Sequence, residues 1–403
     1  MSRIDELIVD LCPDGVERKM LGEVFETRNG YTPSKANASN WTDGTVPWFR
    51  MEDIRENGRV LDDAIQHIPT SAIKGGRLFP ANSIVVATSA TIGEHALITV
   101  PFMANQRFTV LLPKPLLMNR LDMKFLFYYC FVLDQWCLNN TSVSSFASVD
   151  MAGFRRFPIP IPPLEVQREI VAILDTFTEL EAELEAELEA RKRQYEYYRD
   201  ALLRLDGKSG IKWIDELCPD GVEFVSLGDV VANHDSRRKP VTRGSRVMGA
   251  YPYYGANGIQ DWVSDFIYDG TFLLIGEDGS VITGSGKPVL NWAVGKIWVN
   301  NHAHVLTALD DSIELRFLYF YLATVDISSY VTGGTQPKLN QGNMNRIPIP
   351  IPPLEVQREI VNVLDKFDAL VNGLSIGLPA ELAARRKQYE YYRDRLLTFN
   401  EAV

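Results

Sequence analysis

The sequence predicts an α/β fold: two globular mixed α/β domains, joined and spaced by two long helices that pair as an antiparallel coiled coil, in a pseudo-twofold tandem duplication. Three observations predict it. The phrase PIPIPPLEVQREIV stands at residues 158–171 and, unchanged, at 348–361. One apolar stripe follows each copy. Ahead of each copy lies a body of strand-like runs closed by a helix-like run.

The repeat reaches beyond that phrase. LCPDGVE occurs at 11–17 and 217–223, with IDEL before it at 4–7 and 214–217 and LG after it at 21–22 and 227–228. QYEYYRD occurs at 194–200 and 388–394. A period of roughly two hundred residues is a duplicated domain, since solenoid repeats run to about 20–50 residues. The order in each half sets boundaries at 1–157 for the first body, 158–206 for the first helical region, 207–347 for the second body and 348–403 for the second helical region.

PIPIPP cannot sit inside a helix, because proline lacks the N–H and fixes φ. Alternating Pro and Ile suits an extended segment. It hands over to a helix near Pro163 and Pro353, where proline is tolerated in the first turn. Apolar residues then fall at Val166, Ile170, Ile173, Phe177, Leu180, Leu184, Leu188, Tyr195, Tyr198 and Leu202. The second copy gives Val356, Ile360, Val363, Phe367, Leu370, Leu374, Leu378, Leu382, Tyr389, Tyr392 and Leu396. Steps of three and four make one stripe along each helix. At ~1.5 Å per residue each helix is roughly 55–60 Å long. Two such helices most simply cover each other's stripes as a coiled coil. Two ordinary core helices are the alternative, disfavoured by the charge of LEAELEAELEARKR. From Pro163 to Tyr195 is 32 residues, and from Pro353 to Tyr389 is 36. The first stretch runs through ELEAELEAELEA, of high helix propensity. The second holds NGLSIGLPAEL, where Gly373, Gly377 and Pro379 predict a kink or a break.

In the first body SIVVAT and RFTVLLP read as strands and LDMKFLFYYCFVLDQWCL as a helix. In the second, TFLLIG, KIWV and HVLTAL read as strands and IELRFLYFYLATV as a helix. The shared order suggests one fold used twice with different loops.

Composition narrows the class. The 403 residues are 46% apolar, and no apolar run reaches the ~18–20 residues of a membrane span. The N-terminal residues lack the pattern of a signal peptide. Four cysteines make no disulfide framework. Cys12 and Cys218, in matching phrases, read as equivalent buried thiols, and a reducing cytoplasm is the expected location. The net charge of −11 at first argues against a nucleic-acid partner. Residues 158–206 carry 12 acidic against 6 basic groups, more than half of the excess. The two bodies are close to neutral, so either can carry a basic face.

These features together resemble the DNA-sequence-specificity (S) subunit of type I restriction-modification systems. The opening phrase and QYEYYRD carry the resemblance, with YPYYGANGIQDWV, TFLLIGEDGSV and NWAVGKIWVNNHAHVL in the second body and NGYTPSKANASNWTDGTVPWFRMEDI in the first. It covers essentially the whole chain. It implies two target-recognition domains, each reading one half of a split site in double-stranded DNA, and a helical pair that fixes the gap. Four residues of helix are ~6 Å, a couple of base-pair steps at ~3.4 Å. The resemblance further implies two modification (methyltransferase) subunits, which bind S-adenosylmethionine and methylate adenine, and restriction (translocase/endonuclease) subunits. No membrane association and no cofactor in this chain are expected.

Chemistry within the chain is weakly signalled. PDGVERK offers Asp14, Glu17 and Lys19, a poor echo of a metal nuclease that the second copy, PDGVEFV, lacks; a surface turn is the better reading. TGSGKP is no phosphate loop, because Pro288 stands where that motif needs Ser or Thr. NNHAHV sets His302 and His304 on one strand face without companion ligands. The expected chain is non-catalytic.

DNA reading needs Arg, Lys, Asn and Gln at groove edges and small polar or basic groups at phosphates. HDSRRKPVTRGSR supplies Arg237, Arg238, Lys239, Arg243 and Arg246. TGGTQPKLN supplies Thr335, Gln336, Lys338 and Asn340 on a glycine-rich loop, and YYGANG supplies Tyr254 and Asn257. In the first body the candidates are Tyr31, Thr32, Ser34 and Lys35; Thr88, Ser89 and Thr91; and Asn105, Gln106 and Arg107. NNTSVSSFAS takes the place of TGGTQPKLN, and Trp48 and Phe49 read as core. For each loop a solvated or self-satisfied turn is the plainer alternative. A coiled-coil protein–protein adaptor with two binding heads is the competing function.

Overall fold

The computed structural model describes residues 3–143, 147–207, 209–373 and 375–401. The chain divides into two compact units, one of residues 1–183 with 383–403, the other of residues 184–382.

The first unit begins with α1 (Arg3–Leu11) and β1 (Arg18–Met20). Its main sheet holds β2 (Phe25–Asn29), β3 (Ser83–Ala87), β4 (His95–Ile98) and β5 (Phe108–Pro113) in the order β2–β5–β3–β4, with Val60–Leu61 at the edge. Every residue of β3 is buried, because both faces are covered. Ile84 and Val86 pack on one face against the helix α2 (Met123–Asn139). Val85 and Ala87 face the cluster of Trp48 and Phe49, so those two aromatics are core as expected. The proline-rich β6 (Pro158–Pro160) pairs only with β1, where missing N–H groups cost little. It leads into α3 (Leu164–Leu202), 39 residues without a break. The last residues return to this unit: Val16 N–H donates to the Asn400 carbonyl at 2.9 Å, and Leu397 and Phe399 join the core with Cys12.

The second unit repeats the scheme. Its ribbon is β7 (Glu223–Ser226) with β12 (Pro348–Ile351), and its six-stranded sheet contains β8 (Val231–Asn233), β9 (Tyr268–Gly276), β10 (Leu290–Val299) and β11 (Ala303–Ala308) in the order β8–β11–β9–β10. Two further strands, Met248–Gly255 and Gly258–Val263, complete it. α4 (Leu315–Leu322) packs on the sheet, and α5 (Leu354–Asn372) and α6 (Leu378–Leu396) follow the ribbon. The registers match strand for strand. Leu111 faces Thr27 on one side and Ile84 on the other; Leu306 faces Asn233 and Leu273. Thr109 opposes Val86 as His304 opposes Ile275. The bodies share a fold although the strands of their main sheets share no phrase.

The duplicated phrase has a structural task. Gln167 is fully buried, accepts the Asp122 N–H at 2.8 Å and donates to the carbonyls of Arg120 at 2.8 Å and Pro162 at 2.7 Å. Gln357 accepts the Glu314 N–H at 2.8 Å and donates to the carbonyls of Ser312 at 3.1 Å and Pro352 at 2.9 Å. Each glutamine thus bolts a body to its helix. Gln167→Ala strands these groups in a dry site and is expected to lower stability by about 1–3 kcal/mol, read as a shift in the denaturant midpoint.

Helix pairing is antiparallel and uses the same phrase positions in each unit. In the first, Phe177 of α3 meets Tyr389 and Tyr392 of α6 with ring centroids 6.3 and 5.5 Å apart, and Glu181 bonds Arg386 at 2.6 Å. In the second, Phe367 of α5 meets Tyr195 and Tyr198 of α3 at 6.4 and 5.6 Å, and Leu188 packs with Val371, Leu378 and Leu382. Some details depart from expectation. Leu180, Tyr198 and Tyr392 of the predicted stripes are exposed, and Cys218 is only half-buried, unlike Cys12. Leu374 lies outside the described residues.

Candidate nucleic-acid interface

The antiparallel order of the first sheet places the end of β2, the end of β3 and the start of β5 together. The loops that leave these strands therefore converge. The Thr32 hydroxyl bonds Gln106 Oε1, Thr88 N–H donates to the Arg107 carbonyl at 3.1 Å, and Ser89 bridges to Ser148. Gly30 permits the close approach: a Cβ there would sit 1.9 Å from the Asn105 carbonyl oxygen. Tyr31 donates its N–H to the Ala104 carbonyl and accepts from Trp48 Nε1 at 2.9 Å. Ser34 and Lys35 are exposed further along the same loop, and the Ser34 carbonyl accepts from Asn40 and Trp41. Gln106 and Arg107 face solvent. Three candidates point inward or serve their own turn. Thr88 is buried with its hydroxyl 2.8 Å from that of Thr109, the Thr91 hydroxyl is enclosed, and Asn105 Oδ1 accepts the Arg107 N–H at 2.9 Å. Residues 144–146 of NNTSVSSFAS lie outside the described residues.

The second unit gathers its loops at the same end of its sheet, around a part-buried ionic hub. Arg238 reaches Glu277 at 2.5 Å, Asp235 at 3.3 Å and the Ala303 carbonyl at 2.8 Å. His304 places Nδ1 2.5 Å from Asp235 and Nε2 2.8 Å from the Leu339 carbonyl. Both ring nitrogens thus face oxygen atoms, one of a carboxylate and one of the backbone. Burial alone would raise the Asp235 carboxyl; its bond to His304, the His304 charge, the Val305 N–H and the Arg238 charge outweigh that and hold it below its ordinary value. Asp235, Glu277 and His304 lie close enough to hold a metal ion, and the Arg238 guanidinium already reaches into that set.

The loop 335–340 hangs on this hub. Leu339 N–H donates to the Glu277 carbonyl at 2.9 Å, Gln336 Nε2 donates to Asp278 at 3.0 Å, and Lys338 Nζ lies 3.8 Å from Glu277. Thr335 is exposed; Asn340 caps the short helix Gln341–Asn345 by accepting the Asn343 N–H at 2.8 Å. Arg237 lies over the Tyr268 ring at 4.8 Å, and Lys239 and Arg243 face solvent. Arg246 is committed to Asp261 at 3.2 Å and to the Tyr253 ring at 4.2 Å. Tyr254 is buried, which raises its hydroxyl pKa, whereas Asn257 is exposed at a hairpin tip.

The first unit fills the hub's place with neutral groups. Register equates His304 with Thr109, and Glu277 and Thr88 each follow the last residue of their strand. There Thr109 bonds Thr88 and Asn29 at 2.8 and 3.3 Å. Sequence reasoning missed Asp235 and Glu277, because the three hub side chains come from separated segments, and HDSRRKPVTRGSR drew notice for its basic residues and TFLLIGEDGSV as a strand. The other weak motifs are structural. Glu17 bonds Lys19 and Arg120 at 2.5 and 2.7 Å, and Thr283 N–H closes a hairpin on the Lys287 carbonyl at 2.8 Å.

Two α/β units with one strand order and matched register define a tandem-duplicated chain. The model of the type I restriction modification DNA specificity domain matches residues 13–190 and again 219–384. The chain therefore belongs to the family of type I restriction-modification specificity subunits. It is 42% identical over 380 residues to the type I restriction enzyme EcoprrI specificity subunit of Escherichia coli, covering 90% of each chain. Two solved structures share the fold. A chain from a type I R-M system studied for complex assembly and conformational transition is 20% identical, with a TM-score of 0.62 over 96% of this chain and 98% of that one. The type I S subunit of M. genitalium is 18% identical, with a TM-score of 0.54 over 94% of each. Among the described residues no helix is long and apolar enough to cross a membrane.

Proposed function

We propose that this specificity subunit binds a bipartite target in double-stranded DNA. The body 1–157 reads one half-site, the body 207–347 reads the other, and the helical regions 158–206 and 348–403 set the gap between them. In this reading the chain is non-catalytic. It presents the helices to two methyltransferase subunits, which bring S-adenosylmethionine, and to restriction subunits. The observation that carries the reading is one sheet end built twice in matched register with different polar groups around it: Thr88, Thr109 and Asn29 in one unit, Glu277, His304 and Asp235 in the other. A shared frame with unlike loops is what two different half-sites require. Of the candidates, those exposed at the surface are the readers and phosphate contacts: Lys35, Gln106, Arg107, Arg237, Lys239, Arg243, Asn257, Thr335, Gln336 and Lys338. Thr88, Arg238, Arg246, Tyr254 and Asn340 hold the loops that carry them.

Duplex binding across a salt series tests this. Each neutralised phosphate contributes about −0.9 to the slope of log K against log salt. A steep negative slope is expected; a flat one, with binding to protein instead, supports the adaptor reading.

A further inference from the structure

The phrase PIPIPPLEVQREIV is identical in the two helical regions, but the residues after it diverge, AILDTFT at 172–178 against NVLDKFD at 362–368. Asp175 and Asp365 stand eight residues beyond Gln167 and Gln357. On the body side, Lys124 and Arg316 each stand two residues after the N–H that the glutamine accepts. The two positions meet in both units. In the first, Lys124 Nζ donates to Asp175 Oδ2 at 2.6 Å and the Tyr128 hydroxyl donates to Oδ1 at 2.6 Å. In the second, Arg316 Nε donates to Asp365 Oδ1 at 2.7 Å and Nη2 donates to Asp368 Oδ2 at 3.1 Å. Phe320 takes the place of Tyr128 and offers no hydrogen bond. Thr178 takes the place of Asp368, and its hydroxyl donates to the Leu174 carbonyl of its own helix at 3.1 Å.

The two sides of each contact differ together. One carboxylate of α3 meets an ammonium and a phenol, which satisfy its two oxygens. Burial and the bond to Asp175 push the Tyr128 hydroxyl pKa up, so it stays a donor. Two carboxylates of α5 meet one guanidinium, whose planar fork sets its donors apart where an ammonium is a point charge. The rings of Trp292, Tyr319 and Phe320, at 5.0, 4.5 and 4.6 Å, hold that guanidinium in place. Gln167 and Gln357 take backbone groups and so accept either body. These side chains do not. Arg316 set over Asp175 and Thr178 would find one carboxylate, and Lys124 set over Asp365 and Asp368 would leave one carboxylate without a cation.

We propose that the two sets are matched locks that seat each body on its own helix, Lys124 and Tyr128 on Asp175, and Arg316 on Asp365 and Asp368. They are positioning residues, which act by holding the recognition loops of a body at a fixed angle to its helix. This rests on the half-site reading above.

The experiment measures the denaturant midpoint of the full chain. It also measures binding by its complex with the methyltransferase subunit to duplexes with both half-sites or with one scrambled. Arg316→Lys keeps the charge and gives up the fork. It is expected to lower the midpoint and to cut discrimination at the second half-site by about tenfold, the size of coupling within a charge network. The first half-site should be unaffected. Adding Phe320→Tyr and Asp368→Thr rebuilds the first unit's set in the second, and both quantities should return to wild-type values. The mirror change, Thr178→Asp at an exposed helix position, adds an unmatched carboxylate and should weaken the first half-site alone. Lys124→Arg should restore it. Rescue separates a matched lock from ordinary packing, in which each added substitution costs more. Combined variants no better than Arg316→Lys or Thr178→Asp alone overturn the proposal, and the mirror pair decides it if the triple variant does not fold. Recovery of the midpoint without recovery of discrimination overturns the positioning role. A wild type that does not discriminate scrambled half-sites overturns the recognition reading instead, and the midpoints then still decide the lock.

Discussion

Arg238→Met is expected to abolish recognition of the second half-site while the first is still bound. Arg238 is the basic residue of HDSRRKPVTRGSR that lies within the hub, its side chain 13% exposed between Asp235 and Glu277. Without it the part-buried carboxylates lose their shared guanidinium, leaving Asp235 its contact with His304 and Glu277 the Lys338 ammonium 3.8 Å away. Leaving such polar groups short of a partner costs about 1–3 kcal/mol, a noticeable share of a domain's stability. The damage falls on recognition because Glu277 also anchors the loop 335–340 through the Leu339 N–H. The measurement pairs denaturant unfolding with binding to duplexes in which one half-site at a time is scrambled. Arg238→Met should lower the midpoint and erase discrimination at the second half-site alone. The exposed neighbour Lys239 gives the contrast: Lys239→Ala should leave unfolding unchanged and reduce the salt slope by about one contact's worth, ~0.9. Equal behaviour of the two variants would contradict the division between scaffold and reader.

Exchange of the whole second body is expected to have the larger biological effect. Replacing residues 207–347 with the corresponding body of a relative should replace one half-site outright and leave the other half-site and the gap as they were. The structure gives the reason. The body meets its helix through the β7–β12 ribbon and through Gln357, whose partners are backbone groups of Ser312, Glu314 and Pro352. Backbone groups are supplied by any sequence that keeps the turn before α4. A graft that changed both half-sites would show that the bodies do not read independently.

Much of the architecture was legible because it is written in periodicity and repetition. The proline-rich phrase announced its ribbon and helix start, and Gly373, Gly377 and Pro379 announced the break between α5 and α6. The runs SIVVAT, RFTVLLP, TFLLIG and HVLTAL are strands, since a buried strand needs only continuous apolar character. The site was less legible. Sequence identifies which residues have polar heads, and it cannot say which heads the fold uses up. Arg238 and Lys239 are adjacent and both basic, yet one closes a part-buried charge cluster and the other meets solvent. Thr88 and Asn340 looked like readers and serve as an internal bond and a helix cap. The matched register of the two bodies was invisible, because hydrogen-bond partners across a sheet leave no shared phrase.

The most direct test of the account is the methylome of a cell expressing this chain with a methyltransferase subunit of its own system. The account predicts a split motif, two short specified halves separated by an unspecified gap of fixed length, with N6-methyladenine in each half. A continuous motif, or no new motif from a soluble complex of the two subunits, would contradict it.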